Sequence, residues 1–395
     1  MKFKYDARNQ FRLLKKTKFL KVCFFRALFF IKRIFVKKNK QKCILLINFN
    51  NLGDLVCDTP SIRNIRKLYK NHKIVMLVRN ESCKEFMQLY PYVDEIVEMP
   101  HSHEPLKKFA KFAFAFLKYK FDFSMQFVRP FHEYYRTYLP YIMNIKKRYG
   151  LIQIGYKKIY NRAFNYKIYL DNTTTRTEES LSLLKLANIP IDNEKTECFV
   201  DKSKVKKYDF KNYIVIQTCA TIQSRMWHKN RFVELINKIT LNINDLTILL
   251  TGVKAEEEYI NSIKNSCNNK DKVFTICDVN ISTLLSIIQH SKVVITNDTG
   301  PFHFARAFNI PTIVIFGISP PEYLIKEKSS NCLYFRGTED CKDNCNVKSE
   351  DCKKIYKHSN SKNCCINNIT VTEVYNAFLK ILKRYRVDYT KLHID

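Results

Sequence analysis

The chain is short of acids: 37 Asp and Glu stand against 68 Lys and Arg in 395 residues, a formal charge of +31. It has no apolar run near the roughly 20 residues that a membrane-crossing helix needs. In its basic N-terminal stretch the longest uncharged piece is Ala27 to Ile31. No small-residue cleavage site follows an apolar segment, so a secretory signal peptide is not expected and the compartment reads as cytoplasmic and reducing. There is no zinc-finger spacing and no aromatic RNA-binding motif, so those nucleic-acid modules are excluded. The 14 cysteines form no evenly spaced framework and no paired C-x2-C, which argues against a disulfide scaffold. Cys23, Cys43, Cys198 and Cys277 lie in apolar runs and read as reduced, buried thiols.

What is present is unevenly distributed. Residues 1–40 carry 14 Lys/Arg against one acid, Asp6. Residues 11–38 alternate bulky apolar and basic residues, and at 100° per residue Arg12, Lys15, Arg26, Arg33 and Lys37 share one face. That pattern predicts a basic amphipathic helix over 1–40, lying on an anionic membrane surface through 11–38. A helix packed on the protein is the plainer alternative. The remaining charge is spread thinly, and no nucleic-acid partner is expected from it.

The length calls for two domains, and 46% hydrophobic residues suffice to bury both cores. The apolar run Cys43–Phe49 reads as a buried strand, then comes the loop Asn50-Asn51-Leu52-Gly53-Asp54, and then a helix from about Pro60 capped by Asp58 or Thr59. Strands over Lys73–Val78, Glu95–Met99 and Phe121–Phe127 follow, with a helix near 105–119. The second half restarts at Tyr213–Gln217 and repeats the alternation through Leu246–Leu250, Val273–Ile276 and Thr312–Phe316. Strands alternating with helices imply mostly parallel sheets. The expected division is an N-terminal domain over 41–190, a connection over 191–212, a C-terminal domain over 213–370, and a closing helix and tail over 371–395. The closing helix is expected to cross back to the first domain.

The densest signal is residues 293–317. A β-branched run ends in Asn297-Asp298-Thr299-Gly300-Pro301-Phe302-His303, a short helical segment follows, and Pro311 opens a second apolar run. This is strand, tight loop, helix, parallel strand, with polar groups collected where the first strand ends. Ligands of open α/β sheets bind there. The unpaired N–H groups of the helix terminus suit an anion such as a diphosphate. Gly300 permits close backbone approach, and Pro301 suits a first helical turn.

Two stretches together resemble a family. Ile44-Leu45-Leu46-Ile47, with Asn51-Leu52-Gly53-Asp54 and then Asp58-Thr59-Pro60-Ser61-Ile62-Arg63, is similar to the start of the ADP-heptose:lipopolysaccharide heptosyltransferases, glycosyltransferase family 9. Asn297 to Ala307, with Pro311-Thr312 through Phe316-Gly317, resembles that family's second hallmark. Arg225-Met226-Trp227 resembles its Lys-x-Trp element, and Gly252 with Glu256 its Gly-x-x-x-Glu. The resemblance covers about residues 42–380. It implies an α/β, GT-B fold: two Rossmann-like domains facing a cleft, acceptor on the first and nucleotide-sugar on the second.

The resemblance assigns Asp54 as the base that takes the acceptor hydroxyl's proton, with Asn51 and Gly53 in the same loop. Arg225 stands where relatives usually carry lysine. It would stabilise the departing diphosphate, though as a planar fork rather than a point charge. Donor contacts are expected from Thr218, Thr221, Glu256, Asp298, Thr299, Gly300 and His303. Competing readings are a capping aspartate for Asp54, a helix-start acid for Glu256 and a structural histidine for His303. Cys341, Cys345, Cys352, Cys364 and Cys365 form a late cluster that family members often share. A structural metal there competes with reduced thiols or a local disulfide. No Asp-x-Asp element occurs, and the resemblance implies transfer without a catalytic metal or any cofactor, the nucleotide-sugar being a co-substrate. The function implied is inverting transfer of heptose from ADP-heptose to a glycolipid acceptor, an inner core or related surface glycan. The basic N-terminal helix, extra to the family's shared core, would hold the enzyme at the inner face of the cytoplasmic membrane. The rivals are a relative using another nucleotide-sugar, a donor-binding but inactive relative, and a basic nucleic-acid-binding module.

Overall fold

The computed structural model describes residues 3–101, 103–130, 134–170, 173–221, 225–317, 320–325, 331–337 and 365–385, with side chains in the first helix described from Lys18 onward. Among these residues, two six-stranded sheets form, one in each of two units, Met1–Lys195 and Thr196–Asp395.

The first unit contains β1 (Lys42–Ile47), β2 (Lys73–Val78), β3 (Glu95–Glu98), β4 (Lys120–Gln126), β5 (Lys147–Gln153) and β6 (Tyr166–Leu170). Its helices are α1 (Phe3–Ile34), α2 (Leu52–Leu68), α3 (Glu81–Met87), α4 (Leu106–Phe114), α5 (Tyr134–Ile142), α6 (Lys157–Tyr160) and α7 (Arg176–Leu186). The strand order is β3-β2-β1-β4-β5-β6, and every neighbouring pair is parallel. Helices cover both faces of such a sheet, so its central strand is a continuous apolar run: Cys43 to Ile47 are all buried.

The second unit repeats the plan. It has β7 (Tyr213–Gln217), β8 (Thr247–Gly252), β9 (Val273–Cys277), β10 (Val294–Asn297), β11 (Thr312–Phe316) and β12 (Cys332–Arg336). Between and after them lie α8 (Lys229–Asn242), α9 (Glu257–Ser266), α10 (Ile281–Gln289), α11 (Gly300–Ala307) and α12 (Val371–Arg384). The order is β12-β11-β10-β7-β8-β9, again all parallel. Each sheet grows outward from its first strand, then restarts on that strand's other side. The reversal falls between β1 and β4, and between β7 and β10. Those two switch points are where sheets of this order bind ligands, just beyond the carboxyl ends of the strands.

Several expectations change. The helix after β1 begins at Leu52, not near Pro60. Asn51 is its N-cap, Asp54 stands in its first turn, and Asp58, Thr59 and Pro60 lie inside it, buried. Pro60 is the ninth residue of the helix and cannot donate to the Val56 carbonyl one turn back; that carbonyl accepts from the Thr59 hydroxyl at 2.8 Å instead. The closing helix α12 packs on its own unit: Val374, Phe378 and Ile381 enter the second core, and the Asn242 amide of α8 donates to the Tyr375 hydroxyl at 2.9 Å. Strand β5, not among the expected strands, opens with the charged pair Lys147-Arg148. Arg148 is nonetheless buried, because its guanidinium donates to the Ile145 and Ala163 carbonyls at 2.6 and 2.8 Å. Of the four thiols expected to be buried, Cys43 is, while Cys23, Cys198 and Cys277 are half-buried.

The first helix also departs from its predicted orientation. Val22 and Phe29 enter the first unit's core, and Phe29 stacks on Phe114 of α4. Arg26 donates to Asn144 Oδ1 at 3.0–3.1 Å and lies over the Tyr141 ring, and Arg33 donates to the Tyr119 carbonyl at 2.9 Å. The predicted basic face thus turns inward at Arg26 and Arg33. The side chains of Arg12 and Lys15 lie outside the described residues.

Candidate functional site

At the first switch point β1 runs into Asn48, which is fully buried. Its amide bridges two segments: Oδ1 accepts from the Asn50 N–H at 2.8 Å, and Nδ2 donates to Asp58 Oδ2 at 2.5 Å. The chain then turns into α2. Asn51 makes no side-chain cap bond; its Oδ1 instead accepts from Arg79 at 3.0 Å. Gly53 and Asp54 follow in the first turn, where the helix dipole favours a carboxylate.

Asp54 is held from outside its own helix. Arg176, the first residue of α7, donates through Nε to Asp54 Oδ1 at 2.8 Å, and its Nη2 lies 2.9 Å from Asp58 Oδ1. The side chains of Arg176 and Asp58 are 2% and 0% exposed, while that of Asp54 is 29% exposed. An arginine at a helix N-terminus meets the positive end of the dipole, so the two carboxylates are what make the position tenable. The rest of α7 fits this role. Its Thr175–Glu178 capping box fixes the first turn, and the Ser61 hydroxyl donates to Ser180 at 3.0 Å, joining α2 to α7. Burial pushes the Asp58 carboxyl up to about 7, against the pull of Arg176 and of the Asn48 amide. One arginine therefore holds a buried carboxyl with one hand and a solvent-reaching carboxylate with the other. Neither Arg176 nor Asn48 stood out in the sequence. They lie 122 and 6 positions from Asp54, and only the Thr-x-x-Glu capping signal marked where α7 begins.

The second switch point is built on Asn297, the last residue of β10. Its Nδ2 donates to the Thr218 carbonyl at 2.9 Å, and its Oδ1 accepts from the Trp227 N–H at 3.0 Å. One side-chain amide thus clamps both ends of the loop leaving β7. Trp227 is fully buried against Phe232 and donates through Nε1 to the Ile369 carbonyl at 3.0 Å. Two residues before this anchor, Arg225 reaches Asp298, with Nη1 3.2 Å from Oδ2. Asp298 is 4% exposed and the Arg225 side chain 32%. The Arg225 Nε is buried and has no acceptor among the described residues. A guanidinium with one edge on a carboxylate and another N–H unsatisfied is suited to an anionic ligand.

Thr299 is the N-cap of α11 but makes no side-chain cap bond; its hydroxyl lies 3.1 Å from that of Thr296 and donates to the Asn297 carbonyl at 3.3 Å. The first N–H groups of α11 therefore receive no side-chain cap from it. A Cβ on Gly300 would meet only the Phe304 ring, at 3.7 Å. Nothing among the described residues demands glycine there, which leaves room for a ligand to approach the backbone.

Other expected donor contacts fall differently. Thr218 is fully buried, its hydroxyl 3.7 Å from the Cys219 sulfur and its carbonyl accepting from Asn297. Thr221 is exposed on the loop. Glu256 folds back on its own turn, where Oε2 accepts from the Val253 N–H at 3.0 Å. A Cβ on Gly252 would strike Ile260 and lie 2.8 Å from Glu256 Oε2, so the Gly-x-x-x-Glu spacing has a local packing reason. His303 is 8% exposed, its ring against Phe302, a mostly buried histidine one turn into α11. Cys341, Cys345, Cys352 and Cys364, and the side chain of Cys365, lie outside the described residues.

A sequence model of glycosyltransferase family 9 (heptosyltransferase) matches residues 139–354, more than half of the chain. Lipooligosaccharide heptosyltransferase 2 of Campylobacter jejuni subsp. jejuni serotype O:2 is 25% identical over 283 residues, 67% of this chain and 78% of that protein. Its Haemophilus influenzae namesake is 21% identical over 297 residues, 71% of this chain and 84% of that protein. Among solved structures, a family 9 glycosyl transferase from Veillonella parvula aligns with a TM-score of 0.67 at 15% identity, covering 88% of this chain and 99% of that one. E. coli ADP-heptose LPS heptosyltransferase II aligns at 0.66 and 16%, covering 87% and 100%. These structural similarities show the fold, which is α/β of the GT-B class. The chain belongs to glycosyltransferase family 9, the heptosyltransferases.

Proposed function

We propose that this glycosyltransferase moves heptose from ADP-heptose to a hydroxyl of a lipid-linked inner core or related surface glycan, with inversion at the anomeric carbon. The acceptor hydroxyl attacks that carbon, the bond to the diphosphate oxygen breaks, and ADP leaves. Asp54 takes the hydroxyl proton as the new bond forms. One of its oxygens is oriented by Arg176, and the other serves the substrate. Arg225 and the first amides of α11 stabilise the charge that grows on the departing diphosphate. The reading assigns no step to a metal or cofactor.

The observation that carries it is Asp54: a part-exposed carboxylate at a sheet's switch point, held by an arginine that has no route to solvent of its own. The names of the relatives support heptose as the sugar and a lipopolysaccharide-type acceptor. The test is incubation with ADP-heptose and truncated core glycolipid, read by product mass, with ADP affinity measured in parallel. Wild type is expected to add one heptose. Asp54→Asn is expected to bind ADP and lose transfer; transfer at the wild-type rate would remove Asp54 as base. Arg225→Ala is expected to weaken ADP roughly 10- to 100-fold, the loss of one or two hydrogen bonds to a charged group. Because Arg225 is already paired with Asp298, a second reading is donor binding without turnover; ADP binding with no product from any donor would favour it.

A further inference from the structure

From Lys18 onward, the outward face of α1 is apolar. Leu20, Phe24, Phe30, Ile31, Ile34 and Phe35 are all more than half exposed, Phe35 at 83%. At 100° per residue Leu20, Phe24, Ile31 and the following Phe35 fall on one strip, opposite the buried Val22 and Phe29. An amphipathic helix packed on a domain ordinarily presents charge to water on that side. Here Arg26 and Arg33 point inward, and Leu20, Phe24, Ile31 and Ile34 point outward. Lys21 and Lys32 flank the strip, and Lys37, Lys38 and Lys40 follow it, all exposed. From Lys18 to Lys40 there are eight basic residues and no acid. No helix among the described residues is long and apolar enough to cross a membrane.

We propose that this strip is a membrane-docking surface: Leu20, Phe24, Ile31, Ile34 and Phe35 enter the interface of an anionic lipid bilayer while the flanking lysines meet its headgroups. The geometry is that of a helix lying in the membrane plane, in which apolar insertion and attraction to anionic lipid act together. Charge selects the occupant. A second copy of this chain would bring the same lysines against these, whereas an anionic lipid surface complements them. The proposal does not rest on the transfer reading, and its test uses no activity.

The test is co-sedimentation of the full chain with vesicles of phosphatidylcholine alone and with added phosphatidylglycerol, at low and high salt. The comparison variant is Phe24→Glu/Ile31→Glu; both side chains point away from the core, and circular dichroism and ADP binding check its fold. Wild type is expected to bind the anionic vesicles, more weakly at high salt, and the double variant to lose roughly tenfold or more in partitioning, less than the worth of burying two large side chains. Equal binding by the double variant would show that the diffuse basic charge suffices and would overturn the proposal. So would a wild type that is a dimer without lipid and becomes monomeric in the variant, since the strip would then be an interface between copies.

Discussion

Replacing Arg176 by Met is the sharpest test of the first switch point, because its consequence depends on pH in a calculable way. Removing one partner of a buried ion pair costs about 3–5 kcal/mol when the orphaned charge has no escape. Asp58 has one. Its carboxyl already sits near 7 with Arg176 in place, so without the arginine it keeps a proton instead. Below pH 7 the wild-type carboxyl is itself largely protonated, and the variant is expected to lose little, under about 1 kcal/mol at pH 6. Above pH 7 Asp58 is ionised in folded wild type and in both unfolded chains, yet protonated in the folded variant. The stability gap then widens by about 1.4 kcal/mol per pH unit, reaching about 3 kcal/mol at pH 9. Urea unfolding followed by circular dichroism at pH 6, 7, 8 and 9 measures that gap, and other titrations cancel between the two proteins. Turnover should behave differently. Asp54 loses its orienting bond at every pH, and a misplacement of about 1 Å is worth roughly 100-fold in rate, so kcat should fall even at pH 6. A gap constant across pH 6–9, or full turnover at pH 6, would refute the shared-arginine account.

Two further outcomes follow. Folded Asp58 holds its proton to higher pH than the unfolded carboxyl near 3.8, so its contribution to wild-type stability is fully present below that value and is lost as pH rises through about 7; Asp58→Asn should flatten that fall in a denaturation series from pH 4 to 8. Two glycines of the second unit, Gly252 and Gly300, should separate packing from ligand contact. Gly252→Ala meets Ile260 and Glu256 and is expected to destabilise by about 1–3 kcal/mol. Gly300→Ala meets only Phe304 at ordinary distance, so it should melt like wild type or slightly above while binding ADP less well. Unchanged ADP affinity in folded Gly300→Ala would mean that no ligand approaches that backbone.

The local plan of both sheets was legible because parallel strands covered on two faces must be apolar throughout: Cys43–Ile47, Tyr213–Gln217 and Thr312–Phe316 announce themselves. The loop Asn50–Asp54 after β1 and the polar residues at the end of β10 were legible for the same reason, as hydrophilic groups after a buried run; Asn48, absorbed into the run Cys43–Phe49, was not. Strand β5 and the edge strands β6 and β12 were not, since charged or short segments look like loops until a neighbour supplies their partners. The start of α2 was misplaced because Asp58 and Pro60 are strong local cap signals; burial and the bond from Asn48 overrode them.

What the sequence determined by itself was therefore the alternation, the family and the identity of Asp54, Asp298 and Thr299 as candidates, all set by residue type and near-neighbour spacing. Tertiary structure alone decided which groups act together. Arg176 reaches Asp54 and Asp58 from 122 and 118 positions away, Asn297 joins Thr218 to Trp227, and α1 turns Arg26 and Arg33 inward and Phe24 and Phe30 out. Helix periodicity gives the relative angles of side chains but not which side meets the core, and hydrogen bonds between distant segments leave no local trace in composition.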